Sequence, residues 1–325
     1  MVSRGKPSPG KSVPALSTVQ VEKLARAHHL SNPLEYLPTG TPRANNEAEI
    51  NAQNPAKTKK LLDMISWVAK TRMKALSWGL ENVPETGVFI TAATHVTQFD
   101  VFVPMTGLFH QGRRPRYMAK AELGTWPIIG DWFKAVGMQP VPRRSGKASD
   151  IIHESVRILV EDGRPLTIWP EGTVTRDPLK WPMSLKPGMA IIALEASRAL
   201  GHQVPLYVSV TWGAASINHF FPWPRKNVVM AYDMALDYSD LLEGSENWEE
   251  YGAPPEAVDE LTERVALRME ELMEEIRGEK RPEEGRWDFR TMSRTPRGVK
   301  AGVKAGATST ETTAVDTAQT SEKGE

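Results

Sequence analysis

The chain has 325 residues, 40% of them hydrophobic, enough for one large domain or two small ones with a sizeable core. Its 40 basic and 40 acidic residues cancel, so no whole-chain field calls for nucleic acid, and any electrostatic targeting must come from local asymmetry. With no cysteine there is no disulfide framework, thiolate metal site or cysteine nucleophile, and a cytoplasmic location is the expectation.

The opening MVSRGKPSPGKSVPALS has positive charge but no apolar h-region, and no run reaches the ~18 apolar residues of a spanning helix. Any work on lipid is therefore expected from the aqueous side, with the protein peripheral on the inner face of the cell membrane. Gly5 to Ser12 matches the phosphate-loop spacing, yet no strand precedes it and two prolines remove amides that would cradle phosphate, so it reads as a chance match. Residues 1–55 read as a poorly ordered arm with one short helix near Val19–Ala27, and 291–325, rich in Thr, Ala, Gly and Lys, as a disordered tail. Residues 56–285 between them are expected to form one domain.

From Lys57 to Leu80, Leu61, Leu62, Met64, Ile65, Val68, Ala69, Met73 and Leu76 make a broad apolar arc. Lys59, Lys60, Lys70 and Lys74 lie opposite, with Trp67 and Trp78, which predicts a basic amphipathic helix suited to a bilayer surface or to its own domain. Val88–Ala92, Arg116–Ala119, Met138–Pro142, Leu166–Trp169, Val204–Val210 and Val228–Ala231 then read as strands. Helical patterns fill the gaps, among them Asp150–Glu161, a helix opened by Pro187 and closed by Gly201, and one marked by Val258, Leu261, Val265, Leu272 and Ile276. That alternation predicts an α/β fold with a central, mostly β mixed sheet wrapped by helices and an N-terminal amphipathic helix.

Several catalytic signatures are missing. There is no Gly-x-Ser-x-Gly elbow, and His153-Glu154 lacks the second histidine of a zincin. No spacing of Asp, Glu and His argues for a metal site. The informative segment is GVFITAATHVTQFDVFV, where His95 follows a buried-strand run and Asp100 comes five residues later. Five residues along one helix differ by roughly 140°, so the side chains meet only if His95 sits on the strand-end loop and Asp100 at the start of the next helix. So placed, the carboxylate fixes the tautomer and the second imidazole nitrogen takes a proton. No serine or cysteine nucleophile accompanies the pair, which suits direct transfer to a hydroxyl brought by the substrate.

The same order of signals continues with GMQPVPRR, WPEGTVTRD and VPLYVSV. Over residues 60–235 the sequence resembles the lysophosphatidic acid acyltransferases, whose blocks are Asn-His-x4-Asp, a Gly-to-Arg strand, Phe-Pro-Glu-Gly-Thr-Arg-Ser and a Val-Pro strand; EGTVTRDP with WPM resembles an actinobacterial branch. The resemblance implies His95 and Asp100 as catalytic, with Thr94 in place of the asparagine. It implies Arg143 at the acceptor phosphate, and Lys120 in a segment preceding that block. Glu171, Gly172 and Thr173 match the third block, with Trp169 for phenylalanine, and Glu171 is expected either on acceptor hydroxyls or as a helix cap. Val174 replaces the block's arginine, so Arg176, two positions on, is the substitute candidate. Lys186-Pro187-Gly188 and Pro205 resemble later elements and are expected to be structural.

The implied reaction moves a fatty acyl group from acyl-CoA or acyl carrier protein to a lysophospholipid hydroxyl, 1-acyl-glycerol-3-phosphate foremost, giving phosphatidic acid in phospholipid biosynthesis. It requires no cofactor or metal, and membrane lipids are the expected partners. The alternatives are the same chemistry on glycerol-3-phosphate or another lysolipid or glycolipid, or a catalytically silent module that binds lipid or acyl carrier.

Overall fold

The computed structural model describes residues 15–30, 55–125, 130, 131, 133, 137–141, 148–217 and 224–298. The phosphate-loop look-alike, Arg143, most of the expected N-terminal arm and the tail beyond 298 lie outside the described residues.

The chain opens on helix α1 (Thr18–Ala27), started by a capping box in which Ser17 accepts from the Gln20 amide and Gln20 reaches back to the Ser17 amide. Val21, Leu24 and Ala25 are buried in the main core, so this part of the expected loose arm belongs to the fold. Helix α2 (Pro55–Arg72) follows, and β1 (Met73–Trp78) leaves it without a connecting loop. Here the expected helix over 57–80 is corrected. Met73 and Ala75 pack on one side of the sheet and Leu76 on the other, a period of two that overrides the helical spacing of the same apolar residues. Trp78 stacks on His28, ring centroids 3.9 Å apart, so it serves the α1 contact.

The remaining elements are β2 (Ile90–Ala93), α3 (Phe102–His110), β3 (Arg116–Lys120), β4 (Met138–Val141), α4 (Ala148–Val160), β5 (Leu166–Ile168), α5 (Gly188–Leu200), β6 (Leu206–Trp212), β7 (Lys226–Leu236), α6 (Pro255–Arg277), β8 (Arg286–Asp288) and β9 (Ser293–Thr295). Seven strands form one sheet in the order β1-β7-β6-β2-β5-β3-β4, and the only antiparallel neighbours in it are β6 and β7. The sheet is thus mixed, as expected, and mostly parallel, and β2 to β6 all point their carboxyl ends to one edge.

Both faces are covered. On one, Leu76, Ile90, Ala92, Leu166, Ile168, Val208, Val210 and Val229 meet α1, α4, α5 and α6; on the other, Ala75, Tyr207, Val228, Met230 and Tyr232 meet α2 and α3. Strands covered on both faces read as continuous apolar runs, which is why most of them were visible in the sequence. Each fully buried Val, Leu or Ile in these layers contributes roughly 1.5–3 kcal/mol.

No helix among the described residues is long and apolar enough to cross a membrane. At the C-terminal side α6 starts with Pro255 at its first position and ends at Gly278 in the left-handed region, φ 64°. The short hairpin β8/β9 follows, and ordered structure runs past the expected boundary at 291 because Arg294 and Arg297 bond buried carboxylates.

Candidate active site

The carboxyl edge of an open α/β sheet is where such folds place ligands. Here it gathers His95 two residues after β2, Lys120 at the end of β3, and Trp169 with Glu171, Gly172 and Thr173 after β5. β4 ends at Val141 on the same edge.

His95 and Asp100 meet as their spacing predicts. Asp100 sits in the turn before α3, not in its first helical turn, and its Oδ1 is 2.9 Å from His95 Nδ1. Its Oδ2 accepts from the Val96 and Thr97 amides, the latter at 2.8 Å. A carboxylate tied to two amides of its own turn cannot swing away, and it holds the proton on Nδ1, so Nε2 is the nitrogen that can take one. The Asp100 side chain is 0% exposed and that of His95 18% exposed, so the base reaches solvent and the orienting group does not.

The backbone of His95 is held as firmly as its ring. Its amide donates to Glu171 Oε1 at 2.8 Å, and its carbonyl accepts from the Thr175 amide at 2.7 Å. Glu171 Oε2 accepts from the Met183 amide at 3.0 Å. Glu171 is buried, and both of its oxygens face backbone donors, so the geometry places it behind the base as a brace; neither the acceptor-hydroxyl contact nor the helix cap expected for it is what these bonds show.

Electrostatics follow from this packing. Burial alone pushes the His95 imidazolium down, but the Asp100 hydrogen bond and the charges of Asp100 and Glu171 outweigh it, and His95 lies above its ordinary 6.5. Burial pushes the Asp100 carboxyl up, against the pull of His95 and the two amides. Burial also lifts Glu171 to about 7, although the His95 and Met183 amides favour its charged form.

The other expected residues separate. Thr94, in place of the resembled asparagine, is buried with its hydroxyl accepting from the Thr211 amide of β6 at 3.2 Å, so it anchors strands and does not face the site. Gly172 has φ +69°, a backbone conformation that favours glycine, and the movable end of the Lys186 side chain lies against it. That packing brings the Lys186 ammonium over the third block, a cation that the sequence reading set aside as structural. Its signal was its position just before α5, where the chain must return to the edge. Thr173 is half-buried on the same loop, and Lys120 and Arg176 are exposed. The Arg176 amide bonds Met183 Sδ at 3.1 Å while its neighbour Asp177 is fully buried. No bond joins Lys120 or Arg176 to the His95–Asp100 pair.

Beside the base lies an apolar wall. The Trp169 ring is 5.8 Å from that of His95 and 6.5 Å from that of Tyr117. Met64 of α2, with Met105 and Phe109 of α3, completes this cluster.

A histidine oriented by a carboxylate, with one ring nitrogen turned away from that partner, is arranged to take and return a proton. Residues 77–210 match the family model described as Acyltransferase. Among solved structures it is similar to the 1-acyl-sn-glycerophosphate (LPA) acyltransferase PlsC from Thermotoga maritima, at 19% identity and TM-score 0.46, covering 69% of this chain and 85% of that one. So distant a likeness transfers no residue roles. No curated protein matches.

Proposed function

We propose that this protein transfers a fatty acyl group from acyl-CoA or acyl carrier protein to the free hydroxyl of a lysophospholipid, with 1-acyl-glycerol-3-phosphate as the best acceptor and phosphatidic acid as product. The observation that carries the reading is the His95 Nδ1–Asp100 Oδ1 contact of 2.9 Å, on a base whose second nitrogen is bonded to no nucleophile among the described residues. In this reading His95 Nε2 takes the proton of the acceptor hydroxyl as its oxygen attacks the thioester carbonyl. The tetrahedral adduct collapses with loss of the C–S bond, and the imidazolium returns the proton to the departing thiolate. Asp100 stabilises the imidazolium between the two steps, and backbone amides or Lys120 face the developing oxyanion.

The wall of Met64, Met105, Phe109, Tyr117 and Trp169 supports a long acyl chain beside the base. The acceptor phosphate is assigned to Arg176 and Lys186 on the loop after β5, and to Arg143 by the family resemblance alone. Helix α2 supports work at a membrane surface, since Trp67 is 65% exposed and Val68 37% exposed next to the exposed Lys60 and Lys70.

The test offers the purified protein labelled acyl-CoA with a panel of lysolipids and glycerol-3-phosphate, and identifies products by mass. His95→Ala is expected to lower turnover by roughly 10² to 10⁴ with the fold retained, and no acyl-enzyme should form. A covalent acyl adduct during turnover, or near-normal turnover by His95→Ala, rules out direct transfer.

A further inference from the structure

The loop from Glu171 to Leu185 lies between the base and the C-terminal hairpin, and it is bonded to both. Toward the base, Glu171 accepts from the His95 amide at 2.8 Å, and the Thr175 amide donates to the His95 carbonyl at 2.7 Å. Toward the hairpin, Arg294 Nη2 reaches both oxygens of Asp177 at 2.8 Å, and the Ser184 amide donates to the Trp287 carbonyl at 3.0 Å. The two ties are linked through the loop itself. Asp177 donates its amide to the Thr175 hydroxyl at 3.2 Å, that hydroxyl donates to the Trp181 carbonyl at 2.9 Å, and the Met183 amide beside Ser184 donates to Glu171.

The hairpin is in turn fixed to α6. Arg286 and Arg297 bond the buried Glu270 of α6 at 3.1 and 3.0 Å, and within the hairpin Arg294 Nη1 donates to the Gly285 carbonyl at 3.0 Å. Asp177 is fully buried, so removal of Arg294 leaves a carboxylate that must find water or a proton, and either outcome moves the loop. The hairpin lies outside the span 77–210 that carries the acyltransferase match.

We propose that Arg294 is a positioning residue for the reaction: by clamping Asp177 it holds the Glu171–Leu185 loop against the backbone of His95 and so sets the place of the base. It touches no substrate. Its role in turnover rests on the acyl-transfer reading, whereas its hold on His95 does not.

The experiment compares wild type with Arg294→Gln, Arg294→Lys, Asp177→Asn and the Asp177→Asn/Arg294→Gln double variant. It measures kcat and KM for labelled acyl-CoA with 1-acyl-glycerol-3-phosphate, the folded fraction by circular dichroism at the assay temperature, and the His95 pKa by NMR, its resonance assigned by its loss in His95→Ala. A misplaced reacting group loses up to ~100-fold in rate per ~1 Å, so Arg294→Gln is expected to lower kcat per folded molecule by roughly tenfold or more, with both KM values within about twofold of wild type. The His95 pKa should shift, because the Glu171 carboxylate that helps to raise it and the burial that lowers it both move with the loop, whereas Asp100 stays tied to its own turn. Arg294→Lys keeps the charge without the fork and should fall between, which also covers a glutamine variant that does not stay folded. Because the two side chains act on one loop, the double variant should lose no more than its worse single variant.

An unchanged His95 pKa with unchanged kcat in folded Arg294→Gln or Arg294→Lys overturns the proposal, as do losses that multiply in the double variant or that merely follow the folded fraction. If wild type transfers no acyl group to any lysolipid, the acyl-transfer reading fails, and the His95 titration alone decides the positioning role.

Discussion

At the residue scale the proposed base, His95, and its carboxylate predict a response to pH. General-base action needs neutral His95, and its conjugate acid is held above 6.5. Activity should therefore rise with pH through a midpoint above 6.5, and Asp100→Asn, which removes the contact that most favours the imidazolium, should lower both that midpoint and kcat. A pH profile of kcat/KM for the two proteins checks this, and an acid limb at the same pH in both contradicts it. Glu171 acts on stability with a definite sign. Its folded value of about 7 lies above the ordinary 4.5, so between those values the native state holds the extra proton and the contribution of this group to stability declines as pH rises. The pair was legible in the sequence because five residues and one turn bring its members together. The direction of Glu171 was not, since its donors, His95 and Met183, lie 76 and 12 residues away and only the tertiary fold says whether the carboxylate faces substrate or backbone.

At the scale of elements, the stretch 57–80 shows what periodicity can and cannot settle. Ala69, Met73 and Leu76 have helical spacing, yet Met73–Trp78 pairs in parallel with β7, from Met73 opposite Lys226 to Trp78 opposite Ala231. A short apolar run satisfies both periods, and partnership with a strand more than 150 residues on decides between them. The strands β2, β5 and β6 carried no such ambiguity, since each is an apolar run covered on both faces. What remains of the expected amphipathic helix is α2, and its outward side should bind bilayers. Pelleting with anionic vesicles should be weakened by salt, and Trp67→Ala with Lys60→Gln and Lys70→Gln should weaken binding by roughly 30-fold or more, each lost cation near an anionic surface being worth about 1 kcal/mol. Undiminished pelleting of the folded triple variant would remove α2 from the membrane contact.

At the scale of the whole molecule, buried charge ties the C-terminal hairpin to the rest. Glu270 is 1% exposed and accepts from Arg286 and Arg297, and Arg281 lies 3.7 Å away. Glu270→Gln leaves guanidinium groups facing one another without their shared counter-charge, so a loss of roughly 3–5 kcal/mol is expected. Urea titration of the variant checks it, and a change below about 1 kcal/mol would mean that water replaces the carboxylate. None of this was readable from the low-complexity look of the C-terminal segment. Composition marked its start near Thr291, while Arg294 and Arg297 are singular residues whose partners, Asp177 and Glu270, lie 117 and 27 positions away.

The two sets of bonds on His95 also differ in how far along the chain they reach, and that difference orders their formation during folding. The contact with Asp100 closes five residues, whereas the contact with Glu171 closes 76. Closing the longer loop costs about 2 kcal/mol more in chain entropy. The His95–Asp100 pair can therefore form within a single local turn before the sheet is complete. Its brace has to wait for β5 to dock beside β2, so the nascent chain acquires an oriented base first and a positioned one last.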